Sequence, residues 1–246
     1  MPSTVVHVAL AGLVGTALLA EYFDKKAILA VMGAVAFLDL DVFVGLVVSG
    51  THRAAFHTLL LPGLAGLVLL YDLRARKWSV LRERSWVGPR SRIRSRWGAR
   101  GVRVSWVSVV AVTLAGIGPD LFFNGVNLFY PIHDRFYTFS GEILYSNQRG
   151  FVQTLVEVNL GDLLERVSEA GSQPGAESGG GANGGGDPAP TTENTHYRTG
   201  VDPARGEAPE DVERLFPIAM TGERALLALT GYCVVGLRLW MERGDE

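Results

Sequence analysis

Apolar positions in this chain gather into long runs instead of alternating or recurring once per helical turn. Residues 5–20, 27–48, 56–73, 104–117 (extending toward 123) and 224–240 are almost wholly apolar or small. A stretch of about 20 such residues crosses a hydrocarbon core as a helix. The pattern therefore predicts an all-α integral membrane bundle of five spans. Gly12 and Gly15 in the first run permit close helix approach, and Pro62-Gly63 near the start of the third predicts a kink. Val152, Leu155, Val156, Leu160, Leu163, Leu164 and Val167 recur at helical spacing. They predict an amphipathic helix over 151–170, at the membrane interface or capping the bundle. Residues 171–209 are dominated by Gly, Ser, Pro and acids, a composition that predicts a disordered linker. The chain thus divides into a membrane-embedded region (1–170), a linker (171–209) and a C-terminal span (210–246). His196, inside the linker, reads as a solvated histidine.

The net charge of −2 conceals an asymmetry between loops. Residues 74–103 hold eleven Arg or Lys against one acid, whereas 120–223 hold sixteen Asp or Glu against six Arg and no Lys. A nucleic-acid patch is the sharper reading of the basic stretch. A short loop between two spans favours the positive-inside rule instead, so no nucleic-acid partner is expected. The rule assigns 74–103 to the cytoplasm and the N-terminus with 119–223 to the extracytoplasmic side of a cell membrane. No Lys or Arg precedes Lys25, so the N-terminus lacks the basic region of a signal peptide. Cys233 is the only cysteine, which excludes a disulfide framework and a thiolate metal site.

Two acids interrupt the second run, in Phe37-Leu38-Asp39-Leu40-Asp41-Val42. One ionised Asp at a span centre costs about 2.5–3.5 kcal/mol, so a pair there points to a cation, a metal or a wet cavity. Thr51-His52-Arg53-Ala54-Ala55-Phe56-His57 follows within a short turn. With the predicted topology, Asp39, Asp41, His52, His57, Asp120 and His7 all fall at the outer face. Random placement would scatter them. Asp39 and Asp41 lie about 200° apart on a regular helix. Either the helix unwinds there, or one Asp ligates while the other orients a histidine from behind. Imidazole and carboxylate donors without thiolate suit Zn²⁺, Mn²⁺ or iron, and Mg²⁺ if carboxylates dominate.

These residues give the chain a resemblance to the YdjM-like family of membrane-bound metal-dependent hydrolases. That family's pattern has an early His, a Pro-Asp-x-Asp in an apolar helix, His-Arg-Gly-x-Thr-His-Ser, and a later Asp-x-x-Thr-x-Gly. Here the matching residues are His7, Leu38-Asp39-Leu40-Asp41, His52-Arg53-Ala54-Ala55-Phe56-His57-Thr58, and Asp120 with Asn124 and Gly125 following. Leu38, Ala54 and Phe56 depart from the pattern. The resemblance covers roughly residues 1–135 and implies metal-assisted phosphoester hydrolysis on a lipid headgroup or lipid-linked phosphate. It implies a ligand set of His7, Asp39, Asp41, His52, His57 and Asp120. Asp41 or Asp39 would accept a proton from water, and Arg53 would pair with phosphate. His133 and Glu142 are the nearby residues able to extend the set. A metal- or proton-coupled transporter, and a structural membrane protein, use the same residue types.

Overall fold

The computed structural model describes residues 3–75, 92–123, 125–139, 143–148, 150–153, 190–204 and 211–243. Seven α-helices and one hairpin make up the described regular structure: α1 (Thr4–Leu19), α2 (Lys25–Ala36), α3 (Asp41–Gly45), α4 (Leu60–Leu70), α5 (Arg92–Ala111), α6 (Gly118–Phe123), β1 (Ile143–Ser146), β2 (Gly150–Gln153) and α7 (Gly222–Glu242). A 3₁₀ turn, Leu38–Leu40, joins α2 to α3, and a wider π turn, Val112–Ile117, joins α5 to α6. Among the described residues, four helical stretches are long and apolar enough to cross a membrane: Thr4–Tyr22, Lys25–Gly45, Arg92–Phe123 and Gly222–Glu242.

The third expected span, 56–73, is shorter than its apolar run. Thr58 Oγ1 and the Leu59 amide both bond the Leu128 carbonyl, at 2.9 Å each. This commits the backbone before Leu60 to a turn, so α4 holds only 11 residues before a 5-residue π turn. Pro62 falls in its first turn, where a missing N–H costs nothing. The helix expected over 151–170 begins as a strand instead. Phe151 pairs with Tyr145 across the hairpin, and residues 154–170 lie outside the described residues.

Small residues set the packing. A Cβ on Gly15 would fall 2.5 Å from Ile28 Cδ1, and one on Gly231 would fall 2.5 Å from the Ala9 carbonyl oxygen. α1 is thereby pressed between α2 and α7, and the core of Leu19, Ile28, Val31, Val35, Leu38, Val107 and Ile117 fills the centre. Asp24 starts α2 by accepting the amides of Lys26 and Ala27 at 2.7 and 2.9 Å. Its other oxygen meets Arg100 Nη2 at 2.5 Å, while Arg103 Nε donates to the Leu18 carbonyl. The basic half of α5 is thus latched to the α1–α2 turn, far along α1 from His7.

Candidate metal centre

At the other end of the bundle, four pieces of chain converge. α1 brings His7 one turn after its start, and the tightened turn between α2 and α3 brings Asp39 and Asp41. α6 brings Asp120, and the turn 51–58 brings His52, Arg53 and His57. The π turn before α6 carries the Gly118 amide to the Thr113 carbonyl five residues back. Such widened turns accommodate a following proline, here Pro119, and recur at functional sites. Leu38 packs against Gly116, where a Cβ would fall 2.2 Å from Leu38 Cδ1, fixing the two acid-bearing turns against each other.

Asp39 and Asp41 address opposite edges of one imidazole. Asp41 Oδ2 accepts from His57 Nδ1 at 2.7 Å, and Asp39 Oδ1 lies 3.5 Å from His57 Nε2. The wide angular separation of the two acids is accommodated by wedging a ring between them. Asp41 has no exposed side-chain surface, and both its oxygens are occupied: Oδ2 also takes the Arg53 amide at 2.9 Å, and Oδ1 meets His52 Nδ1 at 2.8 Å. Asp41 and His52 therefore stand behind His57, in the position of a carboxylate that orients a metal-binding histidine.

Around His57 Nε2 the spacing changes. It lies 3.4 Å from Asp120 Oδ2, while His7 Nε2 lies 3.8 Å from Asp120 Oδ1 and His7 Nδ1 3.9 Å from Asp39 Oδ1. These separations exceed hydrogen bonds. Metal–ligand bonds of about 2.0–2.2 Å in a tetrahedron put the ligands about 3.3–3.6 Å apart. Both His7 nitrogens, His57 Nε2 and Asp39 Oδ2 are buried without a hydrogen-bond partner, while Asp120 Oδ1 has the Arg53 guanidinium beside it. Buried polar atoms are almost always satisfied, so this group of orphans leaves a place for a further partner. His7, His57 and Asp120 each offer a donor within 4.8 Å of the others'. Charge agrees: of Asp39, Asp41 and Asp120, it is Asp120 that meets the Arg53 guanidinium, so carboxylates outnumber the fixed cation among them.

Arg53 is buried and adopts a left-handed backbone, φ 65°, uncommon for a residue with a side chain. Its Nη2 contacts Asp120 Oδ1 at 3.1 Å, and Tyr197 lies with its ring centroid 4.7 Å from the guanidinium carbon. Burial raises the Tyr197 phenol above its ordinary range, with Arg53 opposing. All seven expected site residues thus lie in one connected cluster. His133 is exposed and does not join it, and Glu142 lies outside the described residues. Tyr197 was not anticipated. Part of the expected linker, residues 190–204, packs on the cluster, and His196 is half-buried 3.8 Å from Asp202 instead of solvated. No protein-family model, curated protein or solved structure matches the chain. The cluster and the apolar helices together describe a helical bundle with a buried His/Asp centre at one end.

Proposed function

We propose that the chain is a multi-pass membrane protein that holds a divalent metal between His7, His57, Asp39 and Asp120. We further propose that it hydrolyses a phosphoester at the outer membrane face, in a lipid headgroup or lipid-linked phosphate. The observation that carries the metal is a pair of buried histidines with unpartnered nitrogens, His57 Nε2 standing 3.4–3.5 Å from carboxylate oxygens of Asp120 and Asp39. Two nitrogen and two oxygen donors suit zinc, with manganese and iron next. The resemblance of the Asp-x-Asp and His-Arg-x-x-x-His stretches supports hydrolysis, and the charge asymmetry between loops supports the outward orientation. When bound, such an ion polarises a phosphoryl oxygen and acidifies a water toward neutral pH.

The residues then divide the work. Asp41 holds the His57 ring with Nε2 turned inward, and His52 braces Asp41. Arg53 balances the charge of Asp120 and does not grip substrate, because its guanidinium is already engaged and buried. Asp39 is the acid with a solvent face, its side chain 18% exposed against 0–2% for the other two. That exposure makes it the group to accept a proton from water. Phosphate release from phospholipids and lipid-linked phosphates by detergent-purified protein tests this reading. Chelator-sensitive turnover lost in Asp39→Asn is the expected result. Hydrolysis indifferent to both chelator and Asp39 would refute it. The Arg53–Asp120 contact favours one rival, a purely structural cluster, which would bind no ion at all.

A further inference from the structure

Tyr197 is the only aromatic residue between Phe151 and Phe216, and residues 171–209 around it are otherwise poor in groups that pack. Its neighbours are fastened on both sides. Upstream, Asp134 accepts from the Thr192 amide at 3.1 Å and from Thr192 Oγ1 at 2.6 Å, and the Pro190 carbonyl takes the Phe136 amide at 2.9 Å. Downstream, Asp202 is buried against α3, its Oδ2 3.2 Å from where a Gly45 Cβ would stand. Two glycines make room beneath. A Cβ on Gly50 (φ 82°) would fall 2.0 Å from the Thr192 carbonyl oxygen, and one on Gly125 3.2 Å from the Tyr197 hydroxyl. The underlying loops are therefore shaped to receive this segment.

We infer that residues 190–202 form a clasp over the metal centre, and that Tyr197 is a positioning residue that holds Arg53 against Asp120. A guanidinium is attracted to an aromatic face, more strongly where water is excluded. Arg53 has the ring on one side and the carboxylate on the other, and is only 2% exposed. With the ring removed or the clasp unfastened, Arg53 gains water and its hold on Asp120 loosens. The shielding of Arg53 stands independently of any metal. Its consequence, slow exchange of the ion, rests on the proposed function.

The test is modification of full-length protein in detergent by an arginine-specific dicarbonyl, followed site by site by peptide mass mapping. Arg53 is expected to react on the order of tenfold faster in Tyr197→Ala and in Asp134→Ala than in wild type, because both lower the cost of local opening. Tyr197→Phe, which keeps the ring, should protect like wild type. The same two fast-reacting variants should lose metal to chelator faster at unchanged starting stoichiometry. Arg53 equally protected in Tyr197→Ala and wild type, at matched melting temperatures, would overturn the inference. A wild type without metal would instead sink the proposed function, and the arginine measurement alone would then decide the clasp.

Discussion

The two ends of the bundle use the same residue type in opposite ways. At the basic end, Asp24 receives two amides and Arg100, all within 2.9 Å, and Asp72 caps α5 through the Arg92 and Ile93 amides at 3.0 and 3.1 Å. Each carboxylate there meets its donors at hydrogen-bond distance. At the other end Asp39 and Asp120 stand 3.4–3.9 Å from the histidine nitrogens, and Asp120 closes only upon Arg53, at 3.1 Å. The acids at the basic end close upon their donors, whereas those of the proposed metal centre stand off from the histidines. Distance separates the two sets more sharply than burial does, since Asp72 is also buried.

The largest expected effect is on the ion. His57→Ala and Asp120→Ala should each lower metal affinity by about 100-fold or more, since each removes one of few donors; titration with zinc under a competing chelator measures it. Next comes Asp41→Asn, which leaves His7, His57, Asp39 and Asp120 in place but weakens the bonds to His57, His52 and the Arg53 amide. It should cost about 10–100-fold in metal affinity and about 2–4 kcal/mol in stability. If Asp41→Asn binds metal and melts like wild type, Asp41 does not orient His57.

Smaller effects belong to the ordinary packing and to the paired end. Gly231→Ala drives a methyl into the Ala9 backbone and should destabilise the bundle by about 1–3 kcal/mol, leaving metal stoichiometry alone. Asp24→Ala should cost about 1 kcal/mol as a lost helix cap, its half-exposed contact with Arg100 adding little. Burial pushes the Asp24 carboxyl up, but the Ala27 and Lys26 amides and Arg100 outweigh it and hold it below its ordinary value. Its stabilisation is therefore present above about pH 4 and is lost as pH falls through the lowered folded value. A pH series of melting temperatures should show wild type and Asp24→Ala converging only in acid.

Much of the fold was legible because hydropathy runs report helices directly, and the paired acids announced themselves by their cost in an apolar run. The division of labour between Asp39 and Asp41 was legible only as two open choices. It depends on the 3₁₀ turn at Leu38–Leu40 and on a histidine eleven or more residues away. The shortened α4 depends on Leu128, a tertiary partner that no local pattern reveals. Residues 190–204 were misread because composition averages over a window. The signal was present in a single position, an aromatic residue flanked by His196 and Arg198 in an otherwise Gly- and acid-rich stretch.

Metal content of wild-type protein purified in detergent without chelator tests the central claim most directly, read beside His57→Ala and Asp24→Ala. The stand-off of His7, His57, Asp39 and Asp120 predicts about one divalent ion per chain, retained in Asp24→Ala and absent from His57→Ala. Wild type free of metal, taking up none from added zinc, manganese or iron, and melting identically with and without chelator would contradict it.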